Sequence, residues 1–201
     1  QQSGFELETA GVLKGGRKVW ALARTGQSGT LKGSDTTNGY VLLATGCDGT
    51  LATTAQFTSV RVVCNNTLAI ALNGKTGAVK VPHSTVFNPQ AVKKQLGICV
   101  SSWDDFMYRL KTLSERKVKP LEAQNYLRMV FSDDSKPGTI QTSERLMAQT
   151  LELFDGKGRG ADLESSKGTA FGLLNAVTQF VDHERRARNV DNRLDSAWFG
   201  T

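Results

Sequence analysis

Three cysteines, four prolines and two histidines are all that 201 residues hold of the side chains that most often staple, break or catalyse. Cys47, Cys64 and Cys99 are odd in number, far apart and without CxxC spacing, which argues against a disulfide framework and a zinc knuckle and fits a reducing cytoplasm. No apolar run approaches the roughly 18 to 20 residues that span a bilayer as a helix, and no signal-peptide pattern opens the chain. An initiator methionine is missing too. Gln1-Gln2-Ser3-Gly4 leads straight into a strand-like pattern at Phe5, as expected of a piece of a longer protein. With His83 and His183 as the only imidazoles, a serine or cysteine nucleophile has few bases to draw on.

What is present is enough apolar residue, 39%, for one sizeable core, so a single domain over 1–201 is expected. The formal charge of +6 is unevenly spread. Residues 1–57 carry 5 basic and 4 acidic groups, 58–131 carry 11 and 4, and 132–201 carry 9 and 11. An excess concentrated in the middle third suits a polyanion, because neutralised phosphates release condensed counterions, although solubility alone also favours net charge.

The pattern divides at the same boundaries. Phe5 to Leu13 and Val19 to Arg24 read as strands, with Lys14-Gly15-Gly16-Arg17 supplying positive-φ turn positions and a basic tip. Alternation puts Trp20, Leu22 and Arg24 on one face of the second strand, and Val19, Ala21 and Ala23 on the other. Residues 26–38, rich in Gly, Ser and Thr, predict a long mobile loop bearing Lys32. Strands follow at 40–45 and 50–57, completing an antiparallel meander.

From Val60 to Leu72, apolar residues recur at i, i+3, i+4, i+7 and i+8, with Thr58 or Ser59 placed to cap; this predicts an amphipathic central helix against which the meander packs. A short strand is expected at 78–81. Asn88-Pro89 opens a helix expected to run to about 117, Pro120 opens another to 131, and two more are expected at 143–154 and 168–188. The fold class is therefore α+β, a β-meander on a central helix followed by a helical C-terminal half.

Each chemically suggestive constellation has a plainer reading. Cys64 falls on the apolar side of the expected central helix, as a buried structural thiol would. Asp182-His183-Glu184 offers donors for a divalent metal, yet neighbouring helical positions point about 100° apart, and a solvated helix end with Arg185 and Arg186 explains the triplet equally. Gly156-Lys157-Gly158-Arg159-Gly160 lacks the GxxxxGK[ST] spacing of a nucleotide loop; it is either a flexible connection or a place where Arg159 approaches a phosphodiester. Trp20 is either a core residue or a stacking platform beside Lys14, Arg17, Lys18 and Arg24. Arg61 and Asn65, four apart, share the polar side of the expected helix, where they serve a ligand, a neighbouring subunit or plain surface.

Several stretches carry a family resemblance: Ala10-Gly11-Val12-Leu13 through Val19-Trp20-Ala21-Leu22-Ala23-Arg24, Val60-Arg61-Val62-Val63-Cys64-Asn65-Asn66-Thr67-Leu68, and Gly168-Thr169-Ala170-Phe171-Gly172-Leu173-Leu174-Asn175-Ala176-Val177-Thr178 with Val181-Asp182-His183-Glu184-Arg185. Together they resemble the phage/plasmid-like protein family, a group of unknown function in prophages, plasmids and integrative elements. Phe171 departs from the tryptophan expected there. The expected order of strands and helix also looks like the core of single-strand annealing proteins of the RecT and Redβ kind, a likeness at the level of fold.

The function expected is single-stranded DNA binding and annealing by a homo-oligomer in the bacterial cytoplasm, near the nucleoid. It needs no cofactor, only extended strands and screened charge. The contacts expected are Lys14, Arg17, Lys18, Trp20, Arg24, Lys32, Arg61, Asn65, Lys93, Lys94 and Arg159. The alternatives are a metal-dependent nucleic-acid hydrolase using Asp182, His183 and Glu184, and a protein-interaction module that antagonises host defence.

Overall fold

Strand β1, Glu6–Leu13, returns on β2, Lys18–Thr30, through a turn in which Lys14, Gly15 and Gly16 all take positive φ, at 55°, 64° and 90°. That left-handed run costs little at the two glycines, and Lys14 is the one described residue other than glycine that adopts it. The computed structural model describes residues 5–61, 67–69, 71–72, 75–76, 78–86, 88–101, 103–133 and 141–185.

The chain continues into β3, Thr36–Gly46, and β4, Thr53–Arg61, each antiparallel to its predecessor. β4 then pairs with both β5, Thr67–Ala69, and β8, Ala78–Val81, which gives a sheet in meander order with β8 as a sixth strand. Short strands β6, Ala71–Leu72, and β7, Lys75–Thr76, pair separately.

Two expectations are corrected here. The loop expected over residues 26–38 is mostly sheet: β2 runs to Thr30, β3 begins at Thr36, and the turn between them closes through Leu31 N–H donating to the Asp35 carbonyl at 2.9 Å. Of its small residues, Gly29 marks a close approach, to Met107.

The central helix expected over residues 58–72 is replaced by strand at Thr58–Arg61, Thr67–Ala69 and Ala71–Leu72. Arg61 pairs with Thr37 along β4, and Asn65 lies outside the described residues. The apolar spacing crosses the end of β4 and two short strands, β5 and β6, so one apparent helical period is assembled from separate strand pieces. Thr58 and Ser59, expected as caps, are buried consecutive strand positions at 1% exposure each.

The helices that cover the sheet come later. Asn88 caps α1, Pro89–Ser101, with its side-chain oxygen accepting from Gln90 and Ala91 N–H at 3.0 and 3.1 Å. α2, Trp103–Glu115, follows, so the helix expected from Asn88-Pro89 to about 117 is helical at both described stretches. Pro120 opens α3, Pro120–Val130, as its position predicts. Strands β9, Ser132–Asp133, and β10, Gln141–Thr142, pair before α4, Glu144–Glu152, which passes into a π-helical turn at Leu153–Lys157. α5, Ala170–Gln179, is capped by Thr169, whose hydroxyl accepts from Gly172 N–H at 3.0 Å.

The core lies between one sheet face and α2. Val41, Ala55 and Phe57 of the sheet meet Trp103, Met107 and Leu110 of α2 and Phe171 of α5. Two glycines set how close they come. A Cβ on Gly39 would lie 3.0 Å from the Trp103 ring, and one on Gly29 would lie 2.5 Å from the end of Met107. A second cluster joins Ala123 and Leu127 of α3 to Met147 and Leu173. The two halves are tied by a buried hydrogen bond in which the Ser165 hydroxyl donates to the Asp35 carboxylate, both groups being 0% exposed.

These contacts set the stability predictions. A methyl on Gly172 would overlap the Ser166 backbone carbonyl, which cannot swing aside, so Gly172→Ala should cost about 2 to 3 kcal/mol in urea unfolding. Gly29→Ala should cost less, because the Met107 tip can rotate away. Thr37, 2% exposed, has a hydroxyl with no hydrogen-bond partner among the described residues, so Thr37→Val should raise stability by about 1 kcal/mol in the same assay.

Candidate nucleic-acid interface

The sheet has a second face, turned away from the helical core. Register places Gly11, Trp20, Ala44 and Thr54 in one row across it, then Leu22 beside Leu42, then Arg24 beside Tyr40. Neither apolar cluster includes Trp20, Leu22, Tyr40 or Leu42. The alternation read from the sequence for β2 therefore holds.

Trp20 is half-buried because it lies across Gly11. Three atoms of its indole would each be 3.0 Å from a Cβ at that position, so the glycine on β1 makes the seat for the ring. Any larger residue at Gly11 would lift the ring off β1.

Arg24 is less available than its sequence position suggests. Its Nε donates to Glu8 Oε2 at 2.5 Å, an exposed ion pair across β1 and β2. The hydrogen bond to Arg24 holds the Glu8 carboxyl below its ordinary range, and the same bond holds the guanidinium well above its own. Tyr40 completes the group. Burial raises its phenol first, and the neighbouring Glu8 charge adds to the rise.

Glu8 was not legible as a partner. A regular hairpin would set Leu7 opposite Arg24, but the register shifts between Leu7 and Thr9, so Glu6 pairs with Arg24 and Glu8 is the extra residue of a bulge. The signal was only a carboxylate somewhere near the right height on the neighbouring strand.

The expected cations do not form one surface. Lys14, Arg17 and Lys18 gather at the β1–β2 turn, where the Arg17 carbonyl also accepts from Cys47 N–H at 2.7 Å and Asp48 of the next turn feels the Arg17 charge. Lys32 sits beyond the other end of β2, about 40 Å along the strand, and Arg61 is at that same far end of β4. Lys93 and Lys94 are exposed on α1. Arg159 is exposed beside α5, its backbone N–H donating to Gln179 Oε1 at 2.8 Å, so the glycine-rich run is anchored rather than loose. Among the described residues, Lys18 of the hairpin tip and Trp20 are brought together, two residues apart on one strand.

Asp191 and Asp195, which could complete a metal constellation with the Asp182–Glu184 triplet, lie outside the described residues. Asp182, His183 and Glu184 are successive residues of a π-helical turn, Phe180–Glu184, and Glu184 accepts from Gln179 Nε2 at 3.5 Å. Among the described residues no three His, Cys, Asp or Glu side chains come together in a way that would hold an ion. Cys47 is exposed, and no described helix is long and apolar enough to cross a membrane.

Because Glu8 titrates below the ordinary carboxylate range, its ion pair contributes stability above that range and loses it as pH falls through the lowered value. Thermal melts taken from neutral pH down to about pH 2 should therefore fall more steeply on the acid side for the wild type than for Glu8→Gln.

No curated protein and no solved structure matches this sequence. One family model does, over residues 1–198, under the description of a domain of unknown function. The match spans both the sheet and the helical half, and the chain therefore belongs to the DUF932 family.

Proposed function

We propose that this chain is a nucleic-acid-binding protein of a mobile genetic element, and that it holds single-stranded DNA for annealing as a homo-oligomer. The reading rests on one observation: the half-buried indole of Trp20 sits on a sheet face turned away from the helical core, immediately beside Lys18 and the basic turn. The middle of this face is buried at Tyr40, Leu42 and Ala44, so what it offers a single strand is its margin, where the half-buried Trp20 indole can stack a base without sequence preference while lysine and arginine of the turn neutralise the backbone. Arg24 belongs to the framework of this face, since Glu8 already engages it. Annealing needs no further chemistry from the protein than an extended, charge-screened strand.

Fluorescence anisotropy with a labelled oligothymidine, titrated with salt, tests it. The wild type should bind with a strongly negative salt slope. Lys14→Ala/Arg17→Ala/Lys18→Ala should make the slope shallower by about 2, on about 0.7 per lost single-strand phosphate contact. Trp20→Ala should weaken binding about 10-fold or more, while Trp20→Phe keeps most of it. Wild-type binding that is absent or insensitive to salt would reject the reading.

A further inference from the structure

The sequence-derived contacts leave out a second group of cations that the tertiary structure assembles from two segments about 50 residues apart. After α2, Lys117 forms an isolated antiparallel bridge to Thr169, and Lys119, just before α3, is extended. Val118 N–H donates to the Gly168 carbonyl at 3.0 Å, and Ala170 N–H donates to the Arg116 carbonyl at 2.8 Å. Lys117 Nζ donates to the Lys167 carbonyl at 3.1 Å, which draws the two segments' charges together.

The arrangement is firmly held. Thr169 is fully buried, its hydroxyl donating to the Ser165 and Ser166 carbonyls at 2.7 and 3.1 Å. Ser165 in turn is bound to Asp35 in the turn between β2 and β3. Val118 packs against the second apolar cluster, and Lys117 and Lys119 on either side of it are exposed. Arg116 is neutralised by Glu122, which leaves Lys117, Lys119 and Lys167 as exposed cations on a fixed ledge.

We propose that this ledge is a second backbone contact for single-stranded nucleic acid, separate from the hairpin tip and the Trp20 face. The proposal rests on the nucleic-acid reading above and adds a surface to it. Cations presented on two segments that are hydrogen-bonded to each other can neutralise neighbouring phosphates of one strand, and a held backbone spares part of the ordering cost that lysines on a loose loop incur on binding. Two separate contacts on one molecule would let it hold two strands, or two stretches of one strand, at once.

The test uses the same oligothymidine anisotropy assay on the whole chain, with Lys117→Gln/Lys119→Gln/Lys167→Gln. Binding should weaken about 10-fold at low salt and the slope should become shallower by about 2. Lys117→Arg/Lys119→Arg/Lys167→Arg should retain wild-type affinity. Should the triple glutamine variant melt early, Lys119→Gln alone should still reduce the slope by about 0.7. If the glutamine variants bind like wild type while the hairpin variant is impaired, the ledge proposal is overturned, the Trp20 face stands, and the ledge falls to an acidic protein partner. If wild type binds no single strand at all, both readings fail together.

Discussion

The closeness of α2 to the sheet is the constraint on which the rest of this structure depends. Trp103 and Met107 occupy the space that side chains at Gly39 and Gly29 would fill, so the helix can settle onto β2 and β3 only where those strands carry no Cβ. Phe57, fully buried, packs edge-on against Trp103 with ring centroids 6.1 Å apart, and Phe171 brings α5 into the same cluster. A sheet face closed in this way commits the apolar half of each strand, and whatever function the sheet performs is left to the other half.

That division gives the opposite face its character. Trp20, Leu22, Tyr40 and Leu42 belong to strands whose alternate residues are already used in the core, and their row ends at the basic turn. The excess charge of the middle third, which suggests one cationic face when read along the chain, is distributed by the fold over β4, α1, α2 and the link to α3. The compact cationic groups are instead the hairpin tip, whose three cations are local in sequence, and the ledge at Lys117, Lys119 and Lys167, which is not. The buried bond between Ser165 and Asp35 joins the sheet to the segment that carries the ledge, so the two surfaces are mechanically one body.

Features governed by nearest neighbours were legible. The positive-φ run at Lys14-Gly15-Gly16, the strand at Ala78–Val81, the Asn88 cap and the start at Pro120 all depend on backbone preferences within a few residues. The face assignment of Trp20 and Arg24 followed from the period of two. The stretch from Thr58 to Leu72 failed as a helix because its apolar spacing is pieced together from the end of β4 and the short strands β5 and β6, and no single element carries the period. Residues 26–38 failed as a loop because small residues were taken for mobility, although most of them extend β2 and β3 and Gly29 admits Met107. In the site, Glu8 escaped notice because it is the extra residue of a bulge, which brings its carboxylate to Arg24 although Glu6 is the register partner.

By itself the sequence determined the α+β class, the meander, the basic turn and the places where most helices begin, since each is set by local dihedral preference and by alternation along one segment. Which cations stand together, which arginine is already paired, and which sheet face remains away from the core were decided only by tertiary structure. Those properties depend on distances between residues such as Lys117 and Lys167 or Asp35 and Ser165, and pairings across 50 or 130 positions leave no periodic trace along the chain.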